Sequence, residues 1–403
     1  MRLTKLCSML GIGVVSLYTC TVLSACSPGA AATPDAGSSR DSGGQSDSGS
    51  SPDAGSATDS GAAVAVGGVY TISNDTAANL VYAYARAADG SLTLLGSYNT
   101  GGKGTGADLG DQGALALDAV NKRFFVVNAG DSTISMMALN SDGSLSKVTS
   151  TASGGTKPVS ITFYGDIVYV LNAGDNTNAG NITGFKVVGN TLTALGSTQP
   201  LSAKTTNIAL GQIEFSRDGK VLVVTEKSTN KIDAYAVSGD GMAAPPKTIT
   251  ADGRSPFGFE FSSNGYLVVS NENGGTNGSA SSTSYSVAAD GTLGLIGSLA
   301  TGQTSSCWVA VAGNYAYVSN TKSGNVSAYN VGADGKLALI AAAAGTTGNG
   351  AIDLAVSSTN DYLYVLASMS HTVTVFKINA DGTLSSKSTL SNLPTHAQGL
   401  VAR

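Results

Sequence analysis

Six short apolar segments of this chain end in a polar side chain, five of them in asparagine and one in glutamate. If the fold brings these ends together, the amides and the carboxylate would suit a polar small molecule such as a sugar or a hydroxy acid. The alternative is that each asparagine caps its own turn, which is the commoner role of asparagine at a strand end. The six residues are Asn74, Asn128, Asn172, Glu226, Asn271 and Asn320.

The loops between repeating units of the chain supply further candidate groups. The longest, residues 100–113, is rich in glycine and also contains Asp108, which makes it the best candidate for a lid. Basic residues in these loops could attract an anionic ligand, although such side chains are more often simply solvated. The predicted ligand-binding face therefore also includes Lys103, Asp111, Gln112, Lys157, Gln212, Arg254 and Gln303.

Two glutamates occupy the same position in successive repeats. Glu214 lies in Ile213-Glu214-Phe215 and Glu260 in Phe259-Glu260-Phe261, where other copies have alanine or threonine. They could form an acid pair with shifted pKa values. Alternatively, each carboxylate meets a basic or a backbone partner between the repeats.

Several classes of function find no support in the composition. The two histidines, His371 and His396, are not in an HExxH motif, and the chain has no CxxC or GxSxG motif. We therefore predict no metal site, no cofactor and no Ser-His-Asp triad. The formal charge of −5 and the absence of a basic patch argue against a nucleic-acid partner. Cys307 and Trp308 are expected in the core.

The N-terminal 65 residues predict export and a tether. Basic residues and an apolar run precede Leu23-Ser24-Ala25-Cys26, which matches a bacterial lipobox. Residues 1–25 are thus a predicted lipoprotein signal peptide, and Cys26 is the predicted lipidation site. Residues 26–65, rich in Ser, Gly and Asp, predict a disordered tether. The expected location is the bacterial cell envelope, at the outer membrane in a Gram-negative cell, with the lipid as the membrane contact; the alternative is a retained membrane helix.

The remaining residues, 66–403, repeat a unit of about 49 residues seven times. Each unit has a turn such as Asp89-Gly90 or Asp381-Gly382 before its last strand, and four short strands in all. This period predicts an all-β, seven-bladed β-propeller with four-stranded blades. Because Gln398–Ala402 parallels the opening strand of the second unit, the C-terminal strand should close the ring. We expect a monomer.

These blade sequences resemble the seven-bladed β-propeller lactonases, a family that includes 6-phosphogluconolactonase and carboxymuconate-cyclizing enzymes. Related propellers built from Tyr-Val-Thr-Asn repeats share the same motifs. The resemblance covers roughly residues 66–403 and rests on Tyr82–Tyr84, Asp89–Leu92, Thr100–Gly102, Phe125–Gly130 and Phe215–Lys220.

The resemblance implies hydrolysis of a lactone, a muconate cyclase-like reaction, or binding of a polar small molecule. The family's pattern has Gly-Pro-Arg-His at the opening of a middle blade and a glutamate about sixteen residues after the arginine. The matching stretch in this chain, Leu210-Gly211-Gln212, lacks the Arg-His pair, whereas Glu226 lies at or one residue from the expected glutamate. Glu226 is carried over as the predicted catalytic residue. The missing pair favours the competing hypothesis, a non-catalytic binding or scaffold propeller.

Overall fold

The computed structural model describes residues 65–403, which form seven four-stranded antiparallel sheets arranged as a ring. The predicted seven-bladed β-propeller is confirmed. The predicted signal peptide, the lipidation site Cys26 and nearly all of the predicted tether lie outside the described residues. Within residues 65–403, no helix is both long and apolar enough to cross a membrane.

The strands are numbered in chain order, and each blade runs from an inner strand at the channel to an outer strand. Blade 1 contains β28 (Gln398–Ala402), β1 (Gly67–Ile72), β2 (Leu80–Arg86) and β3 (Leu92–Asn99). Blade 2 contains β4 (Leu115–Asp118), β5 (Arg123–Asn128), β6 (Thr133–Leu139) and β7 (Leu145–Ala152). Blade 3 contains β8 (Pro158–Tyr164), β9 (Ile167–Asn172), β10 (Asn181–Val188) and β11 (Thr191–Pro200). Blade 4 contains β12 (Leu210–Phe215), β13 (Val221–Glu226), β14 (Lys231–Ala236) and β15 (Lys247–Thr250).

The remaining blades follow the same order. Blade 5 contains β16 (Pro256–Phe261), β17 (Leu267–Asn271), β18 (Ser281–Val287) and β19 (Leu293–Ala300), with a short 3-10 turn, η1 (Asn273–Gly275), after β17. Blade 6 contains β20 (Ser306–Ala312), β21 (Tyr315–Asn320), β22 (Asn325–Val331) and β23 (Leu337–Thr346). Blade 7 contains β24 (Ala351–Val356), β25 (Tyr362–Ala367), β26 (Thr372–Ile378) and β27 (Leu384–Leu390).

The C-terminal strand closes the ring, as the sequence predicts. β28 pairs with β1 in antiparallel register. Thr71 Oγ1 donates a hydrogen bond to the Gln398 carbonyl at 3.0 Å, and Arg86 Nε donates to the Arg403 carbonyl at 3.1 Å. Because both ends of the described chain lie in one sheet, blade 1 leaves no unpaired inner edge.

Tyrosines connect each of four blades to a hairpin turn of the next. Glycine at these turns has φ near +80° to +90°, as at Gly90 and Gly382, which explains the Asp-Gly preference. A side chain at Gly382 would collide with the Tyr315 ring of the preceding blade. The hydroxyl groups donate to the glycine carbonyls in the pairs Tyr70–Gly143 (3.1 Å), Tyr169–Gly241 (2.7 Å), Tyr317–Gly382 (3.0 Å) and Tyr364–Gly90 (3.4 Å).

The hydrophobic core lies between the faces of neighbouring blades. Cys307 and Trp308 are fully buried in the cluster shared by blades 5, 6, 7 and 1, so the prediction that they belong to the core is confirmed. The Trp308 ring packs 4.6 Å from the Phe257 ring, centroid to centroid. These contacts fix the inner strands that surround the central channel.

Candidate functional site

The antiparallel order of the strands gives the propeller two distinct faces. The loops that precede each inner strand and those that follow each second strand lie on one face, which we call the upper face. The hairpins such as Asp89-Gly90 lie on the lower face. The predicted strand-end residues are equivalent, since Asn172, Glu226 and Asn271 each pair with the first residue of an inner strand.

The strand-end asparagines are buried, and hydrogen bonds within the protein engage their amides. Asn128 Nδ2 donates to Ser135 Oγ at 2.9 Å, and Asn128 Oδ1 accepts from Thr100 Oγ1 at 2.8 Å. Asn320 Nδ2 donates to Ser327 Oγ at 2.8 Å. Similar bonds hold Asn74, Asn172 and Asn271. These contacts hold the amides within the protein, but their partners lie on neighbouring strands and loops, so they do not show that each asparagine caps its own turn.

Glu226 is fully buried and accepts hydrogen bonds from the loop before blade 4. Its Oε1 accepts from Ser202 Oγ at 3.1 Å and from the Ala203 amide at 3.2 Å, and its Oε2 accepts from Thr229 Oγ1. Burial, followed by the nearby Asp233, raises the pKa of Glu226 despite these bonds. The carboxylate does not line the channel cavity.

Lys227, one residue further, contacts the loop that closes the upper end of the channel. Its ammonium group donates to the Gly110 carbonyl and lies 3.8 Å from the centroid of the Phe257 ring. Sequence reasoning missed this residue, although it stands one position after the predicted glutamate. Burial lowers the pKa of Lys227, while Asp111, Glu272 and Asp108 act in the opposite direction.

The basic and amide side chains predicted for the upper face differ in how far they are exposed to solvent. Lys103 and Arg254 are exposed, whereas Lys157 is half-buried and interacts electrostatically with Asp111 and Lys227. Gln303 is half-buried, and its Oε1 accepts from Asn325 Nδ2 at 2.7 Å. The structure therefore brings Lys157, but not Lys103 or Arg254, toward the buried charges.

The loop of residues 100–113, the predicted lid, fills the upper end of the channel. Asn74 Oδ1 accepts from the Thr105 amide at 3.0 Å, and Asn74 Nδ2 donates to the Ala107 carbonyl at 2.6 Å, which fixes the first half of the loop. The second half contains Asp108, Asp111 and Gln112, and the latter two are buried. The loop thus closes this end of the channel in the described structure.

The loop of residues 100–113 is called the plug from here on. Two aspartates in or near the plug have strongly raised pKa values. Burial raises the pKa of Asp111 to about 7, although Lys227 and Lys157 counteract the shift. Burial also raises the pKa of Asp353 to about 8, with Asp108 and Asp111 adding to the shift. Asp353 Oδ2 accepts from the Gly399 amide at 2.7 Å. Sequence reasoning missed Asp353, whose only local signal is a carboxylate within an inner strand.

Below the plug, the channel contains a cavity of about 500 Å³. Its lining extends from Gln112, Gln212 and Asp353 down to Arg217 in the turn after β12. Inner-strand side chains of several blades surround it, including Ile161, Thr162, Glu214, Glu260 and Leu400. The volume falls within the range of ordinary small-molecule sites.

Glu214 and Glu260 meet inside this cavity, and their carboxyl groups are hydrogen-bonded to each other. Gln212 Nε2 donates to Glu214 Oε2 at 2.9 Å, and the Phe261 amide donates to Glu260 Oε1 at 3.1 Å. The sequence offered two alternatives, an acid pair or separate partners for each carboxylate. Both hold in part, because the two carboxyl groups meet and each also has an amide partner. Burial raises the pKa of Glu260 and, more strongly, that of Glu214, on which Glu260 acts in the same direction.

Arg217 supplies positive charge at this end of the channel. Its Nε donates to the Ser262 carbonyl at 2.6 Å, and its Nη2 donates to the Phe261 carbonyl at 2.6 Å. The guanidinium lowers the pKa of both glutamates, against the effect of burial. Two carboxyl groups that share a proton provide one acid and one base side by side. Among residues 65–403, no group of three His, Cys, Asp or Glu side chains is arranged to hold a metal ion.

Comparison with known proteins agrees with the resemblance predicted from sequence. Residues 179–278 match the profile of the family described as lactonase, 7-bladed beta-propeller. No protein of curated function matches this chain in sequence.

Solved structures support the fold over most of the chain. A putative 6-phosphogluconolactonase from Bacteroides fragilis has 19% identity and a TM-score of 0.65, covering 87% of this chain and 100% of that one. A protein from Lactobacillus plantarum has 17% identity and a TM-score of 0.68, covering 84% and 100%. The periplasmic gluconolactonase PpgL from Pseudomonas aeruginosa has 16% identity and a TM-score of 0.63, covering 83% and 98%. At these identities the likeness concerns the fold.

Proposed function

We propose that this protein hydrolyses a lactone in the channel cavity, with Glu214 and Glu260 as the acid and base. The observation that carries the proposal is the hydrogen-bonded carboxyl pair inside a cavity of about 500 Å³. Paired carboxyls with raised pKa values in a concave site are typical of acid–base catalysis. The match of residues 179–278 to the lactonase family supports the same reaction class.

The arrangement can perform each proton transfer of the reaction. The ionised glutamate takes a proton from water, whose oxygen then bonds to the lactone carbonyl carbon. The protonated glutamate donates a hydrogen bond to the carbonyl oxygen as negative charge develops there. The ring C–O bond then breaks, and the released oxygen takes a proton from the pair to become a hydroxyl. Gln212 orients Glu214 through its 2.9 Å hydrogen bond.

The charge of the cavity favours an uncharged substrate. Glu214 and Glu260 line it together with Arg217, whose Nε and Nη2 already donate to main-chain carbonyls. Arg217 offsets the one negative charge that remains on the pair, so the cavity has no excess positive charge to bind an anionic phosphate. We therefore expect glucono-δ-lactone to be a better substrate than its 6-phosphate.

The second candidate function is a binding propeller without catalysis. The missing Arg-His pair at Leu210-Gly211-Gln212 favours it, as does the enclosure of Glu226 by Ser202, Ala203 and Thr229. In that case the cavity would bind a polar small molecule without converting it. Saturable binding of a lactone without product would distinguish this function from hydrolysis.

The deciding experiment measures hydrolysis of a lactone panel by the full-length protein and three isosteric variants. We expect Glu214→Gln and Glu260→Gln each to lower kcat at least 100-fold, because either change removes the shared proton. Glu226→Gln is the matched control and should retain most of the activity if it folds normally. Loss of activity in Glu226→Gln alone would instead favour the position carried over from the family.

We also infer that the chain is exported and anchored through lipid on Cys26, because Leu23–Cys26 matches a lipobox. The mass of the mature N-terminal peptide tests this directly. The expected peptide begins with an acylated Cys26, and Cys26→Ser should move the protein from the membrane fraction to the soluble fraction. An unprocessed N-terminus in the wild-type protein would contradict the proposal.

A further inference from the structure

The side chain of Gln112 crosses the channel and joins opposite sides of the ring. Its Nε2 donates to the Val309 carbonyl at 2.7 Å, and its Oε1 accepts from the Val309 amide at 3.0 Å. The main-chain amide of Gln112 donates to the Gly211 carbonyl at 2.8 Å. One residue of blade 2 is therefore bonded to blade 6 by two hydrogen bonds and to blade 4 by a third. We call this arrangement the Gln112 clamp.

Glycine at position 258 makes room for the clamp. A Cβ atom on Gly258 would lie only 2.1 Å from Gln112 Oε1 and 2.8 Å from the Cys307 carbonyl oxygen. Contacts this short do not occur between real atoms, so any side chain at this position would displace the carboxamide of Gln112. Equivalent positions of neighbouring inner strands hold larger residues, Gln212 and Trp308, which shows that the strand geometry alone does not demand glycine.

The clamp separates the lower cavity from a second polar region. Gln112 lines the cavity, whereas Asp111, the residue before it, is buried beside Lys227 on the other side. That upper region contains buried polar atoms without a hydrogen-bond partner, namely Asp111 Oδ1, Gln398 Oε1 and Trp308 Nε1. Buried polar groups of this kind are normally satisfied by water, an ion or a ligand. A ligand group that displaced the clamp and reached this region would therefore need to be polar.

We infer that Gln112 determines the depth of the cavity and thereby selects lactones with short substituents. The inference rests on the proposed function, because it assigns the substrate size of that same cavity. A monosaccharide lactone would fit below the clamp. A lactone with a long hydroxylated substituent would need the carboxamide to leave Val309 and open the way toward Asp111 and Lys227.

The clamp can be tested without any catalytic assay by combining variants from opposite sides of the ring. Gly258→Ala should lower the thermal midpoint by several degrees, because its methyl group collides with the Gln112 carboxamide. In a Gln112→Ala background the same change should lower the midpoint less, since one of the two obstructing groups is gone. Equal losses in both backgrounds would overturn the clamp.

Matched controls separate the clamp from general effects. Gly297→Ala introduces a methyl group where no atom lies within 4 Å, so it should leave the midpoint unchanged. Gln199 Nε2 donates to the Ala243 carbonyl at 2.8 Å on the outer part of the ring. Gln199→Ala therefore removes a comparable hydrogen bond far from the channel and should show no coupling with Gly258→Ala. Coupling of similar size in this control would also overturn the clamp.

The substrate selection is tested by comparing glucono-δ-lactone with the lactone of a disaccharide acid. Gln112→Ala should raise kcat/KM for the larger lactone relative to the smaller one at least tenfold, whereas Gln199→Ala should not change this ratio. An unchanged ratio in Gln112→Ala refutes the role in selection. If the wild-type protein hydrolyses neither lactone, the proposed function fails. The thermal midpoints of Gly258→Ala in the wild-type and Gln112→Ala backgrounds still decide whether the clamp exists.

Discussion

Replacing Asp353 with asparagine should stabilise the protein at neutral pH, because burial holds this carboxyl in its protonated form. Asp353 is 2% exposed, and its pKa is raised from 3.8 to about 8. Its φ of +23° is tolerated by asparagine as well as by aspartate. An amide oxygen can also accept the hydrogen bond from the Gly399 amide that now spans 2.7 Å.

The raised pKa of Asp353 determines how the stability of the fold changes with pH. At a pH well below 3.8 the group is protonated in both the folded and the unfolded state, so it has no net effect. As the pH rises toward 8, the unfolded chain releases the proton and the folded chain retains it, so the free energy of unfolding falls. The loss is about 1.4 kcal/mol per pH unit, or about 4 kcal/mol at pH 7. The Asp353→Asn variant has no ionisable group at this position, so its free energy of unfolding does not fall in this way.

Urea denaturation from pH 4 to pH 9, followed by fluorescence of the single tryptophan, Trp308, measures the effect. We expect the variant and the wild type to unfold at similar urea concentrations at pH 4, and the variant to gain stability progressively up to pH 8. Asp142→Asn is the control, because hydrogen bonds from Ser144 lower the pKa of Asp142. This substitution should therefore destabilise the protein at neutral pH, the opposite of the effect expected for Asp353→Asn. A constant difference between Asp353→Asn and wild type at every pH would refute the reasoning.

Three further predictions concern the acid pair, the ties between blades and the ring closure. Glu214→Gln should raise the thermal midpoint more at pH 8 than at pH 5, because the pKa values of Glu214 and Glu260 are both raised and the folded state therefore loses stability as the pH rises above their ordinary value of 4.5; equal midpoint shifts at both pH values in scanning calorimetry would contradict this. Tyr317→Phe should lower the free energy of unfolding by about 1 kcal/mol, because the hydroxyl loses its 3.0 Å bond to Gly382; an unchanged urea midpoint would show that this tie contributes nothing. Removal of residues 397–403 should abolish the cooperative transition, since β28 would be lost; a sharp transition at the wild-type temperature would show that the ring does not need it.

Local chemistry made the fold predictable. Asp-Gly turns recur about every 49 residues, and glycine there adopts a positive φ that other residues avoid. Strand patterns between these turns give the blade its four strands, and the similarity of Gln398–Ala402 to an opening strand indicates how the ring closes. The ties such as Tyr317 to Gly382 were not predictable, because they join residues of different blades.

The candidate site was predictable only in part. Repetition placed Glu214 and Glu260 at equivalent positions, and adjacent inner strands bring such positions together. By contrast, the resemblance pointed to Glu226, whose carboxylate is held by the loop before blade 4, whereas the next side chain, Lys227, reaches the plug of the channel. β13 ends at Glu226 and Lys227 begins the turn that follows, so the two adjacent side chains reach different surroundings.

The number of blades, the turns and the closing strand follow from the amino-acid sequence, because each depends on patterns within about 50 residues. The groups that meet at the axis depend instead on contacts between distant blades. Gln112 bonds to Val309 across 197 positions, and Asp353 meets Gly399 from another blade. Seven inner strands converge there, and small differences in side-chain length decide which groups touch. The burial that raises the pKa of Asp353 arises only when the ring is complete.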